Sequence, residues 1–210
     1  MKSFTKRITH LSCSAKAPIV AIFALASLAA FAGRCSAGIY SFDNKHANVN
    51  FTYYVGFASQ SGRFTDMNGV FQFDRRAPAQ GSIKAVIKTA SLTANAFESE
   101  LKSSRFFNVG VFPEIRFSSR SVKPIGEDRA EFNGDLTMNG VTRPVTLQVA
   151  FQPEARAGSG SAQASPPANG RARMIATTRL KRSEFNMTSL SYLVNDEIDI
   201  EISAALQEKK

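Results

Sequence analysis

The chain has 210 residues, 26 of them basic and 17 acidic, with a net charge of +9, two cysteines and no tryptophan. That length suits one core of ordinary size, and so few cysteines exclude a disulfide-dense scaffold. Five basic residues (Lys2, Lys6, Arg7, Lys16 and Arg34) and no acid fall within residues 1–37, so the remainder carries only +4, spread thinly, which argues against nucleic acid as a partner.

Residues 1–37 read as a secretory signal peptide. The basic start is followed by an uncharged run, Ala17 to Gly33, shorter than the roughly 20 residues of a membrane-spanning helix. Cys35-Ser36-Ala37 places small residues three and one positions before Gly38, so cleavage is expected after Ala37, with a cut after Ala32 as the alternative. Removal takes both Cys13 and Cys35, and residues 38–210 must then fold on their core alone. The expected location is periplasmic or secreted.

Along 38–210 the chain alternates in period two. Val49, Phe51, Tyr53 and Val55 share a face, and Gly56 and Gly62 are expected to bracket a loop. Phe71 and Phe73 share a face of a short strand; Ile83, Ala85 and Ile87 share one in the next. From Ser91 to Phe107 the period changes, with Ala94, Phe97, Leu101 and the Phe106-Phe107 pair on one helical stripe and Thr93 as its N-cap candidate. Strands resume with Ile115 and Phe117 on one face.

The segment Phe132 to Phe151 is the clearest. Phe132, Leu136 and Met138 share a face, as do Val145, Leu147, Val149 and Phe151, and Asn139-Gly140 supplies the positive φ angles of a tight hairpin. Pro144, lacking an N–H, is expected to open the second strand or mark a bulge. Residues 154–170, rich in Gly, Ser, Ala and Pro, are expected to form a flexible loop. Met174, Ala176, Thr178 and Leu180 share a face of the next strand. In the last, Glu197, Asp199 and Glu201 alternate with Ile198, Ile200 and Ile202. About eight strands with polar outer faces predict an all-β fold closed into a barrel, because closure removes exposed edges.

Catalytic signals are sparse. Outside the leader the chain has one histidine, His46, and no cysteine, and no zinc-ligand spacing is visible. Asp43 and His46 read as a turn contact at a strand start rather than part of a triad. Glu98 and Glu100 fall on different faces of the expected helix. Glu197, Asp199 and Glu201 lie on the wet face of a strand. Gly158-Ser159-Gly160-Ser161 lacks the lysine of a phosphate loop. No catalytic residue, metal site or cofactor is predicted. Arg171, Arg173, Arg179, Lys181 and Arg182 cluster, as a wet strand face or as a basic patch for anionic lipid head groups.

Several blocks resemble one family in their order along the chain. They are Tyr40 to His46 with Val49-Asn50-Phe51; Gly62-Arg63-Phe64 with Gly69 to Asp74; Ala90 to Thr93 with Leu101-Lys102 and Arg105 to Phe107; Phe112 to Ser119; Gly134 to Val145; and Arg182 to Met187. These resemble the YceI family of exported polyisoprenoid-binding proteins, with Gly134 to Val145 the most specific block. Tyr53-Tyr54-Val55-Gly56 lacks a histidine often found there in the family, and Asn186 stands where glycine is usual.

The resemblance implies an eight-stranded antiparallel lipocalin-like barrel with one helical excursion, holding a polyisoprenoid lipid or a quinone tail as its ligand. With the shared faces, it implies an apolar tunnel lined by Phe51, Tyr53, Phe71, Phe73, Ile87, Leu101, Phe106, Phe117, Leu136, Met138 and Leu147. The expected role is to sequester or carry that lipid, not to act as an enzyme. Two rival readings are a redox or enzymatic partner acting on a quinone head group, near His46, Tyr53 or Tyr54, and a solid barrel serving protein interactions. Transient contact with a membrane surface fits the role, and the oligomeric state stays open, a homodimer included.

Overall fold

The computed structural model describes residues 38–42, 45, 47–74, 77–126, 128–153 and 171–208. The leader, Asp43, His46 and the loop expected at 154–170 lie outside the described residues. Strand segments follow the alternation of the sequence: β1 (Gly38–Phe42), β2 (Ala47–Val55), β3 (Ala58–Phe64), β4 (Met67–Phe73), β5 (Ser82–Lys88), β6 (Leu92–Ala94), β7 (Glu114–Pro124), β8 (Arg129–Met138), β9 (Val141–Pro153), β10 (Arg171–Lys181) and β11 (Glu197–Glu208). In β8 every second residue from Ala130 to Met138 is buried and those between are half-buried, which is one core face and one wet face.

These segments fuse into an eight-stranded ring. β1 and β2 lie end to end along β11, with Tyr40 opposite Glu208 and Ala47 opposite Ala204, so together they form one broken first strand. β4 and β3 run back along it, pairing Gly38 with Phe73 and Val49 with Phe64. β5 and β6 continue the pattern, pairing Ile87 with Met67 and Leu92 with Phe64. β7 to β11 follow as antiparallel neighbours in chain order, and β11 closes onto the first strand. The result is an up-and-down antiparallel barrel with its ladder edges joined.

Local chemistry sets the corners. Asn139 (φ 49°) and Gly140 (φ 77°) form the two-residue turn between β8 and β9, as the sequence predicts. Asn139 is buried there and donates from Nδ2 to the Phe185 carbonyl at 3.0 Å. Asn186 holds φ 61°, the position that glycine usually fills. Pro144 lies inside β9 rather than at its start or at a bulge, paired with Asp135. β10 pairs with β9 only from Gln148 onward, so the missing N–H interrupts no ladder on that side.

Two further expectations are corrected. The Gly56–Gly62 loop is a two-residue turn followed by β3, and Gly62 is a strand residue opposite Phe51. The Phe51 ring fills the space above it, so a Cβ at Gly62 would sit 2.2 Å from the ring. The helix expected over Ser91 to Phe107 is reduced to α1 (Glu98–Lys102). Leu92 to Ala94 is strand β6, and Phe97, not Thr93, holds the N-cap position with φ 59°. Leu92 is fully buried and extends the inward face begun by Ile83 and Ile87, so burial in the barrel overrides the local helical period.

Candidate functional site

The barrel interior is divided in two. At the end where β4 and β9 finish, aromatic rings fill it. Phe73 stacks on Phe151 with centroids 4.3 Å apart, Phe71 lies 4.9 Å from Phe151 and 5.8 Å from Phe132, and Tyr40 completes the set at 6.3 Å from Phe71. Tilted and stacked rings at these separations pack without a gap for a ligand. Phe71 and Phe73, expected in the tunnel wall, belong to this plug and do not line the cavity. Both rings point inward as the alternation requires, but at this end four phenylalanines from three strands, β4, β8 and β9, meet and close the lumen.

From mid-barrel to the other end runs a cavity of about 110 Å³ with an apolar wall. Phe51, Tyr53, Ile87, Leu101, Phe106, Phe117, Leu136, Met138 and Leu147 all line it. Sequence reasoning missed Phe42, Phe64 and Phe107, and it assigned no tunnel role to the β10–β11 wall of Met174, Ala176, Leu180, Ile198, Ile200 and Ile202. The shared faces on β10 and β11 carried that signal. The inward positions of all eight strands build the cavity wall, joined by Leu101, Phe106 and Phe107 and by Arg182, Met187 and Val194, and three non-strand segments cross this end.

The first crossing segment follows β6. The Tyr53 hydroxyl donates to the Ala96 carbonyl at 3.1 Å and so ties this segment to β2. Burial pushes the Tyr53 phenol above its ordinary value. Tyr54 points outward and is partly exposed. The second segment is α1 and the turn after it. Leu101 is buried, and Phe107 meets Phe64 edge-on at 5.2 Å and Phe51 at 5.9 Å.

The third segment is the loop from Met187 to Asp196, organised by Arg182. This arginine is only 4% exposed, so the basic cluster is not uniformly a wet face. Its Nε donates to the Asn195 carbonyl at 3.0 Å, Nη2 to Val194 at 2.8 Å, and Nη1 to Ser189 at 2.8 Å and to Met187. Burial pulls its basicity below the usual arginine value, with Asp196 opposing. Four carbonyl dipoles stand in for a direct carboxylate partner. Burial pushes the Asp196 carboxyl up, but hydrogen bonds from the Ser183 hydroxyl at 2.7 Å and amide at 2.9 Å, with Arg182 and Lys181 nearby, bring it below the usual value. The loop docks on the β2–β3 turn: Gly56 N–H donates to Leu193 O at 2.8 Å and Asn195 N–H to Tyr54 O at 3.0 Å.

The outer face carries the charges. Arg179 bridges to Asp199 at 2.6 Å and Glu197 at 3.6 Å, which accounts for one member of the basic cluster and two of the acidic row on β11. Lys88 and Arg116 both pair with Glu114 and hold its carboxyl below the usual range. Among the described residues no group of three or more His, Cys, Asp or Glu side chains converges on a metal-sized site.

Comparison with known proteins places this architecture. The YceI-like domain family matches residues 40–206, nearly the whole described barrel. This chain belongs to the YceI family. Protein YceI of Salmonella arizonae is 36% identical over 186 residues, spanning 86% of this chain and 93% of its own length. Among solved structures, BcnA of Burkholderia cenocepacia superposes with a TM-score of 0.66 at 22% identity, covering 78% of this chain and 98% of its own. A polyisoprenoid binding domain from Saccharophagus degradans, implicated in plant cell wall breakdown, superposes with a TM-score of 0.59 at 11% identity, covering 83% and 100%. These neighbours share the YceI barrel.

Proposed function

We propose that this YceI-family barrel is an exported binding protein that holds one isoprenoid chain, a polyprenyl lipid or a quinone tail, in the half-hollow interior. The observation that carries the reading is the apolar cavity itself, walled by Phe51, Ile87, Phe117, Leu136 and Leu147 and stopped at one end by the aromatic plug. Left empty, a void of 110 Å³ costs roughly 2–3 kcal/mol at about 24 cal/mol per Å³. An apolar wall offers water no partners, so a hydrocarbon is the occupant that recovers that cost.

A slim apolar chain suits the lining. Each 100 Å² of hydrocarbon surface taken out of water contributes about 2–3 kcal/mol gross, and ordering a floppy chain removes a large part of it. Reversible binding follows without a hydrogen bond to the tail, as carriage or sequestration requires. The leader read from residues 1–37 supports a periplasmic or secreted location for this work. The likeness in fold to a polyisoprenoid binding domain supports the choice of an isoprenoid over an unbranched acyl chain.

The test is to purify the protein from its own host, extract it with organic solvent and identify the extract by mass spectrometry. One prenyl lipid per chain is expected. A clean extract, together with no uptake when a prenyl lipid is offered to the stripped protein, contradicts the reading.

A further inference from the structure

Large apolar side chains are not scattered evenly over the described surface. The four most exposed are Phe57, Tyr192, Val111 and Phe97, at 107%, 85%, 64% and 58%. All four sit at the cavity end of the barrel. Phe57 tips the β2–β3 turn beside Gly56, and Tyr192 adjoins Leu193, whose carbonyl accepts from Gly56. Phe97 follows Ala96, the acceptor of the Tyr53 hydroxyl. Val111 adjoins Phe112, whose ring packs over Gly140 of the β8–β9 turn. Away from this end, Ile39, Val70 and Ile125 reach only 42% each.

Turn chemistry does not demand these residues. Gly56 already supplies the positive φ of its turn, and the next position takes a small polar residue without strain. A phenylalanine held wholly in water there is a cost that folding does not explain.

We propose that this rim docks on the surface of a lipid bilayer, with Phe57, Phe97 and Tyr192 entering the interfacial layer. Three arguments select that occupant. The three rings together expose roughly 400–600 Å², below the about 800 Å² per partner of a stable protein interface. They project from three separate segments as points, a form that suits a fluid surface better than a flat or grooved partner. They also surround the end of the barrel that the cavity reaches, so an apolar cargo passes between lipid and cavity with little exposure to water. The purpose rests on the proposed cargo; the contact itself rests on the rim alone. The docking does not rest on the basic cluster, in which Arg182 is buried and Arg179 is paired.

The chain has no tryptophan, so Phe57→Trp introduces a lone reporter. The protein carrying it, purified after export from its own host, is mixed with uncharged phosphatidylcholine vesicles, with and without brominated acyl chains, at low and high salt. A blue-shifted emission, quenched by the bromines and insensitive to salt, is expected. In a flotation assay, Phe57→Ser with Tyr192→Ser loses at least tenfold in vesicle binding. Its lipid content by extraction stays at one per chain, which separates docking from cargo. Emission that stays fully aqueous at saturating lipid overturns the proposal. So does equal flotation of the double variant, or a dimer by sedimentation that the double variant disperses without any vesicle binding.

Discussion

Gly62 and Arg182 are small in number of atoms changed and large in consequence. Phe51 lies flat over Gly62 across the strand pair, and the same ring forms part of the cavity wall. Gly62→Ala therefore forces the ring into the cavity or off its rotamer. A loss of about 1–3 kcal/mol is expected in a thermal or urea unfolding experiment, with weaker ligand retention. Arg182 is buried among four carbonyls, so Arg182→Met leaves them unpaired in an apolar setting. A loss of about 2–4 kcal/mol is expected from the same unfolding measurements, with faster amide exchange through Leu193 to Asn195. An unchanged midpoint in Arg182→Met would mean that the loop is held by its docking on Gly56 and Tyr54 alone.

At the scale of elements, the strands were legible in the sequence and the crossing segments were not. Alternation over Phe132 to Phe151 and Glu197 to Ile202 is a local signal, written in successive residues, and the barrel keeps it. Leu92 to Ala94 carries a helical stripe locally, yet it pairs with Gly62 to Phe64, a contact no short window contains. The basic run around Arg182 looked uniformly wet because charge is read residue by residue, whereas its burial depends on carbonyls from a loop that folds back over it. Phe71 and Phe73 point inward as their alternation says. Which inward rings meet and which leave space is set by the strands they face across the lumen.

The loop from Met187 to Asp196 gives a pH prediction at this same scale. The fold holds the Asp196 carboxyl below its ordinary value, chiefly through Ser183, against the upward push of burial. A depressed carboxyl stabilises the folded state above its unfolded value, about 3.9, and that contribution is lost as pH falls through the folded value. Acidification below about pH 4 is expected to loosen the loop first, seen as loss of exchange protection at Asn195, whose amide bonds Tyr54. Asp196→Asn should flatten that acid-side dependence. A loop equally protected at acid pH in the unmutated protein would show that Ser183 and Asp196 do not latch it.

For the whole molecule, the proposed function turns on the division of the lumen into plug and cavity. The plug supplies rigidity: Phe73→Ala removes a ring stacked at 4.3 Å and is expected to cost about 3–5 kcal/mol while leaving the cavity wall intact. The cavity is the proposed site: Val145→Phe extends a ring into it from β9 and is expected to leave the fold in place while shutting out a chain. The two variants separate stability from binding, because one acts on each half of the same barrel.

Native mass spectrometry of the purified protein and of Val145→Phe tests the account most directly. One prenyl-lipid adduct per chain in the unmutated protein, lost in Val145→Phe while both remain folded, is the predicted result. An adduct retained undiminished in a folded Val145→Phe protein would put the lipid somewhere other than the lumen and contradict the account.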